Sequence, residues 1–137
     1  SDGVTRFGGE GFIAQLYGGA ASLPAEALSP LYPVTTFRTG FSLGYVWPVI
    51  VAVPDVPPGG TAKFVMRVYN GASWENSLIR GESIPFVEPF LGTGTGAAQL
   101  NGLRSFSVSA VPEPNPIALL VCGLAMFWAG GKLRPRF

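Results

Sequence analysis

The sequence predicts an all-β fold, an antiparallel β-sandwich or jelly-roll-like domain, followed by a single C-terminal helix. Glycine and proline are frequent, with 19 and 13 of the 137 residues, which favours short strands over long helices. Only 12% of the residues are charged and 47% are hydrophobic, whereas soluble domains carry about 25% charged residues. Short alternating apolar segments fill the chain up to about residue 110, and one unbroken apolar run follows.

The first third of the chain predicts two strands separated by a short turn. Gly11–Tyr17 alternates in side-chain character and is expected to be a strand. Ala21–Ser29 can form one brief helical turn, because Pro24 and Pro30 limit its length. Val34–Thr39 is rich in β-branched and aromatic residues, which favours a strand.

The middle of the chain predicts a buried strand, a turn and a half-exposed strand. Tyr45–Val53 is apolar on both faces, as in a buried strand, although Pro48 requires an edge position or a bulge. Pro54–Gly60 is expected to be a turn. Thr61–Asn70 alternates strictly and is the clearest strand. We expect its even-numbered residues to face the core and its odd-numbered residues to face solvent: Ala62, Phe64, Met66 and Val68 against Lys63, Val65, Arg67 and Tyr69.

The remainder of this region predicts one helix and two strands. Ser73–Arg80 is the best helix candidate, with Ser73 as its N-cap and Gly81 ending it. Two strands are expected at Ser83–Glu88 and Arg104–Ser109. Gly92–Gly102, which lies between them, is expected to be a loop.

The sequence divides into a β-domain at 1–110, a proline-rich linker at 111–116 and a membrane anchor at 117–137. Ile117–Gly131 carries no charge and would span about 22 Å as a helix of about 15 residues. Snorkelling of Lys132 extends this length toward that of a bilayer core. The residues expected to form the anchor are Ile117, Leu119, Leu120, Leu124, Phe127, Trp128, Lys132, Arg134 and Arg136.

The basic end of this run predicts its orientation. Positive charge favours the cytoplasmic side, which would leave the β-domain outside. Trp128 suits the membrane–water interface at that end. A buried core helix is the alternative for an apolar run this short.

The tail resembles the PEP-CTERM sorting signal of bacterial proteins that are handled by an exosortase. The resemblance rests on the motif Val111, Pro112, Glu113 and Pro114, on the Leu119–Leu124 spacing and on the basic end. It implies export to the bacterial cell envelope and recognition by an exosortase-type processing enzyme. The expected location is the inner membrane, with the β-domain on its periplasmic side.

Little in the sequence points to catalysis or to a cofactor. The chain has no histidine, which excludes a His-based general base and an imidazole metal ligand. Cys122 is the only cysteine and lies in the apolar run, where a thiolate is costly to form. The carboxylates are isolated in sequence and form no calcium loop. We therefore expect a protein that is not an enzyme and needs no cofactor.

Three further features have structural interpretations. Gly92–Gly96 lacks the Lys-Ser/Thr of a nucleotide loop, so a surface loop is expected. The absence of a basic stripe argues against nucleic-acid binding. Trp47 and Trp74 could each offer a flat ring to a carbohydrate. Tryptophan side chains more often belong to the core, so we expect core positions for both.

Three functions remain open. The first is a non-catalytic, single-span structural or accessory subunit of a larger membrane assembly, with the lipid bilayer and other subunits as partners. The second is a cell-surface or matrix protein released after exosortase processing. The third is a carbohydrate-binding module.

Overall fold

The computed structural model describes residues 8, 10–89, 91–92 and 97–112. The strands of these residues form one antiparallel seven-stranded sheet, so the described chain is all-β. The strands are β1 (Phe12–Ala20), β2 (Ser29–Pro30), β3 (Thr35–Thr36), β4 (Ala62–Asn70), β5 (Ile79–Glu82), β6 (Phe86–Glu88) and β7 (Ser109–Ala110).

Two nine-residue strands, β1 and β4, form the centre of the sheet. They pair along their whole length, from Phe12 opposite Asn70 to Ala20 opposite Ala62. The outer edge of β1 is shared by β2 and β3, and the outer edge of β4 is shared by β5 and β6. β7 extends the sheet beyond β5.

The core lies on the face of the sheet to which the even-numbered residues of β1 and β4 point. Phe64 and Val68 are almost completely buried there. The cover consists of irregular chain from residues 46–58 and 97–108, which contributes Val51, Val53 and Leu103. The prediction of an apolar face on β4 is confirmed for all four of its residues, Ala62, Phe64, Met66 and Val68.

The opposite face of β4 is less exposed than the alternation predicts. Val65 and Tyr69 are only 4% and 5% exposed, so the prediction of a solvent-facing side is wrong for these two residues. The 71–78 loop places Trp74 against Tyr69 with an edge-on ring contact at 6.4 Å. Lys63 and Arg67, which point to the same face, are half-buried.

Several predicted elements are confirmed, and others are shorter than predicted. β1 and β4 lie where strands were expected, and the short turn predicted after β1 is the 3-10 turn Ala25–Ala27. The strands predicted at Val34–Thr39 and Ser83–Glu88 shrink to the two residues of β3 and the three residues of β6. The strand predicted at Arg104–Ser109 is wrong except at Ser109, where the two-residue strand β7 begins. The described residues of the Gly92–Gly102 loop contain no strand or helix, as expected.

The prediction of a buried strand at Tyr45–Val53 is wrong. Val46 makes a single bridge to Phe37, and the chain then crosses over the even-numbered face. Pro48 has no N–H and therefore interrupts a ladder at that point. Ile50 is 76% exposed. The segment Tyr45–Val53 is therefore apolar because it covers the core with one side, while its other side is exposed.

The prediction of a helix at Ser73–Arg80 is also wrong. Ser77 donates its hydroxyl to the carbonyl oxygens of Asn70 and Ser73, which folds this segment into a tight loop. Ile79–Glu82 then returns as β5, antiparallel to β4. Gly81, expected to end a helix, lies opposite Val68 in this strand.

Candidate binding surfaces

Most of the residues predicted to function lie outside the described part of the chain. These are Glu113 and Pro114 of the sorting motif and the whole predicted anchor, Ile117, Leu119, Leu120, Leu124, Phe127, Trp128, Lys132, Arg134 and Arg136. Among the residues that the structure does describe, no helix has the length and apolar character needed to cross a membrane.

Val111 and Pro112 lie at the boundary between the β-domain and the linker. The Val111 N–H donates to the Leu78 carbonyl oxygen at 2.7 Å, just after the last strand of the sheet. Val111 is half-buried and Pro112 is exposed. The first two residues of the predicted sorting motif therefore lie at the β7 edge of the sheet.

An open apolar cavity of about 1050 Å³ lies between the sheet and its cover. Leu16, Phe64 and Met66 form its floor on β1 and β4. Its walls come from the covering chain, with Val51 on one side and Leu103 on the other. No Asp, Glu, Lys or Arg is among its described lining residues, so it suits only uncharged, apolar groups.

A short hairpin at residues 36–47, the aromatic hairpin, flanks this cavity. The Arg38 N–H donates to the Tyr45 carbonyl oxygen at 2.8 Å, and the Trp47 N–H donates to that of Thr36 at 3.0 Å. The tip is the 3-10 turn Gly40–Ser42. Gly40 has a φ of 65° there, a conformation that glycine adopts without a steric penalty.

The two sides of the aromatic hairpin differ in their surroundings. Phe37 and Val46 pair across the hairpin and pack against the core. Side chains alternate along a strand, so Arg38, Tyr45 and Trp47 point the other way. The Arg38 guanidinium lies 4.8 Å above the ring centre of Trp47.

Exposed apolar side chains are concentrated on and beside this hairpin. Phe41 at the tip is fully exposed, and Trp47 is 55% exposed. Large apolar residues rarely collect on a surface without a partner. The exposed large apolar residues of this region are Tyr32, Phe41, Leu43, Tyr45, Trp47, Val49 and Ile50.

A second aromatic cluster lies on the odd-numbered face of the sheet. The Arg67 guanidinium is 4.3 Å from the ring centre of Tyr17 and 5.0 Å from that of Trp74. Arg80 approaches the same Trp74 ring at 5.1 Å and donates to the Trp74 carbonyl oxygen. Arg67 also pairs with Glu82 at 3.1 Å. These groups satisfy one another, which makes the cluster a structural support.

Two buried ionisable side chains among the described residues, Glu88 and Tyr69, are held by hydrogen bonds. Glu88 is buried, and its carboxylate accepts a hydrogen bond from the Gly102 N–H. Tyr69 donates to the side-chain oxygen of Gln15 at 2.9 Å. Burial raises the pKa of Tyr69 above its ordinary value, with smaller contributions from neighbouring tyrosines and Glu75. No group of three potential metal ligands occurs within the described ranges.

The sequence predictions missed both the hairpin and the cavity. The hairpin has a local signal, because Gly40 and Gly44 flank a short segment between two aromatic stretches. No local sequence pattern predicts the cavity, because its shape depends on how the covering chain packs over the sheet. In comparisons with known proteins, no family model matches this chain, and no curated protein or solved structure matches it.

Proposed function

We propose that this chain is a non-catalytic protein of the bacterial cell envelope, held in the inner membrane by its tail with the β-domain on the periplasmic side. The observation that carries the proposal is the tail sequence. A Val-Pro-Glu-Pro motif, a charge-free run at Ile117–Gly131 and a basic end follow one another within 27 residues, 111–137. This order is typical of a single-span anchor with a cytoplasmic C-terminus.

The domain outside the membrane is, in this proposal, a sandwich-like β-domain of two layers with a structural or accessory role. The sheet is one layer, and the covering chain at 46–58 and 97–108 supplies the other across the apolar core. Its described ionisable groups are dispersed or mutually bonded, which supports a binding role over a catalytic one. The partners would be lipid and other subunits of a membrane assembly.

Flotation with vesicles tests the anchor. We expect the full chain to float with lipid and to resist alkaline carbonate, because the apolar run crosses the bilayer. The double variant Leu120→Asp/Leu124→Asp should be extracted, since each central Asp costs about 2.5–3.5 kcal/mol. The matched control Leu120→Ile/Leu124→Ile should float as the parent does. Extraction of the parent chain by carbonate would overturn the proposal.

Labelling with a membrane-impermeant maleimide tests the orientation. Cys122 is first replaced by Ala, and a cysteine is then placed at exposed Asn76 in the domain or at Phe137 in the tail. We expect Asn76→Cys to react in intact spheroplasts and Phe137→Cys to react only after lysis. The reverse pattern would contradict a periplasmic domain.

Retention of the tail distinguishes the accessory subunit from a protein that is processed and released. We expect the intact mass of the native protein to include the residues beyond Pro114. A chain ending near residue 114 would favour exosortase processing and a surface or matrix role. Recovery of the chain alone from solubilised membranes, at its own size, would refute the subunit role.

A carbohydrate-binding module is the second candidate, and the exposure of Trp47 favours it. An exposed indole ring offers a flat apolar face to a sugar. Trp74 is a poorer platform, because Arg67 and Arg80 lie against its ring. Binding to a glycan array that is lost in Trp47→Ala but kept in Trp74→Ala would support this candidate. Binding that survives both changes would remove it.

A further inference from the structure

We propose that the aromatic hairpin at residues 36–47 is the surface by which the β-domain lies on an anionic lipid bilayer. The proposal rests on the membrane anchorage proposed above and adds a second, peripheral contact to it. It assigns a partner, the headgroup region of the bilayer, to an exposed apolar surface that the fold itself does not use.

The first step is the shape of the hairpin. Phe37 and Val46 fix its inner side to the core, so the outer side and the tip are held outward. Phe41 at the tip is fully exposed, and Ile50 beside the hairpin is 76% exposed. A protruding turn of this kind can enter the headgroup region without changing the fold.

The second step is composition. Tryptophan and tyrosine are enriched where membrane meets water, because each has an apolar ring and a polar group. The outer side carries Trp47 and Tyr45, and the tip carries Phe41 and Leu43. No Asp, Glu, Lys or Arg occurs between Arg38 and Asp55, so Arg38 is the only charged residue of the hairpin when this surface meets lipid.

The third step is the charge at the rim. Arg38 forms no ion pair with a carboxylate of the described residues. Its Nε atom is buried and has no hydrogen-bond partner among them. Its guanidinium is held above Trp47 instead. A lone cation beside apolar aromatic residues complements the phosphate of an anionic headgroup.

The fourth step is the position of the hairpin relative to the tail. Residues 111–116 can extend over at most about 20 Å, which keeps the domain next to the bilayer. β3, which leads into the hairpin, and β7, which leads into the tail, lie on opposite sides of the β1–β4–β5 centre. Four strand spacings separate them by about 19 Å. The tail and the hairpin would therefore hold the domain at two separate points.

Nitroxide depth measurements on the full chain test the proposal. In a Cys122→Ala background, one label is placed at Phe41→Cys and a control label at Asn76→Cys, which is exposed in the loop on the odd-numbered face. Both chains are reconstituted into vesicles containing phosphatidylglycerol. We expect the label at 41 to collide severalfold more with oxygen, relative to a water-soluble nickel complex, than the label at 76. Arg38→Gln should reduce this ratio in the anionic vesicles more than in phosphatidylcholine vesicles.

The outcomes separate failure of the hairpin from failure of the anchor. A chain that floats with vesicles while the label at 41 is as accessible to nickel as the label at 76 overturns the lipid contact alone. A label at 41 that is protected from both reagents indicates a protein occupant and also overturns it. A chain that does not float overturns the anchor and the lipid contact together. Because Phe41 is fully exposed, the label itself should leave the fold intact.

Discussion

At the scale of the single residue, Tyr69 links the two central strands through a buried hydrogen bond. Its hydroxyl on β4 donates to Gln15 on β1, and both side chains are nearly inaccessible to solvent. Burial raises the pKa of Tyr69, so the phenol keeps its proton in the folded chain at pH values where the unfolded chain loses it. Stability from this group is thus complete below the unfolded pKa of about 10 and is lost as pH rises above it.

We expect Tyr69→Phe to lower the free energy of unfolding near neutral pH by about 1–3 kcal/mol, because the oxygen of Gln15 is left unsatisfied. The same variant should lose less stability than the parent on going to strongly alkaline pH. Urea unfolding of the full chain in detergent at a series of pH values measures both effects. Tyr45→Phe is the control, since Tyr45 is exposed and the buried phenol is retained. Equal alkaline losses in parent and Tyr69→Phe would contradict the assignment.

Gly81 shows how a single position excludes a side chain. A Cβ atom there would collide with the carbonyl oxygen of Ser107 and crowd the backbone of Val108. Backbone cannot rotate aside as a side chain can, so β5 and the neighbouring chain would have to separate.

Gly81→Ala should therefore destabilise the domain by about 1–3 kcal/mol, the usual cost of overpacking. Thermal unfolding of the full chain measures this, with Ser109→Ala on exposed β7 as the control, expected within about 0.5 kcal/mol of the parent. A Gly81→Ala chain as stable as that control would contradict the close backbone contact.

At the scale of the element, the odd-numbered face of the sheet is held together by Arg67. Its guanidinium lies over the rings of Tyr17 on β1 and Trp74 in the 71–78 loop, and it pairs with Glu82 of β5. The ion pair is partly exposed, with the Glu82 side chain 51% accessible, so most of its Coulomb energy is screened. We therefore expect the cation–π contacts with the two rings to contribute more.

We expect Arg67→Lys to destabilise the domain by about 1 kcal/mol, because an ammonium group cannot stack on two rings as a guanidinium does. Glu82→Gln is the matched comparison and should cost less, since it removes only the charge of the partner. Chemical denaturation of both variants measures the difference. A larger loss for Glu82→Gln than for Arg67→Lys would show that the ion pair dominates.

The elements differ in how far sequence determines them. The positions of β1 and β4 could be predicted because side chains alternate in character along both segments, which is the period of a strand. Their pairing with each other was not predicted. The pattern at Tyr45–Val53 wrongly predicts a strand because a covering segment and a buried strand are equally apolar, and only Pro48 indicates the difference. The pattern at Ser73–Arg80 wrongly predicts a helix because the Ser77 hydroxyl bonds to nearby carbonyl oxygens and closes a loop instead. The aromatic hairpin has a glycine signal, whereas the cavity depends on packing that no local pattern encodes.

At the scale of the whole molecule, hydrogen bonding is distributed unevenly. β4 has paired strands on both sides along most of its length. Within the described residues, the covering chain at 49–58 takes part in few backbone bonds, such as that from the Gly60 N–H to the Pro57 carbonyl oxygen. It is held mainly by apolar contacts such as those of Val51 and Val53.

Amide hydrogen exchange should therefore divide the domain into two levels of protection. We expect the amides of Phe64–Val68 to exchange only through global opening and those of residues 49–53 to exchange many times faster, because local opening of the cover breaks few bonds. Mass spectrometry of peptides from the labelled full chain measures this. Equal protection in the two regions would contradict a cover held mainly by apolar contacts.

The pairing of β1 with β4 also bears on how the chain folds. Even their nearest partners, Ala20 and Ala62, are about 40 residues apart in sequence, and closing a loop of this length precedes most of the stabilising contacts. Neither strand can bury its apolar face until the other has been synthesised. The folding rate should thus be limited by this long-range encounter. If the chain is exported as proposed, its β-domain would remain open until β4 has emerged from the membrane.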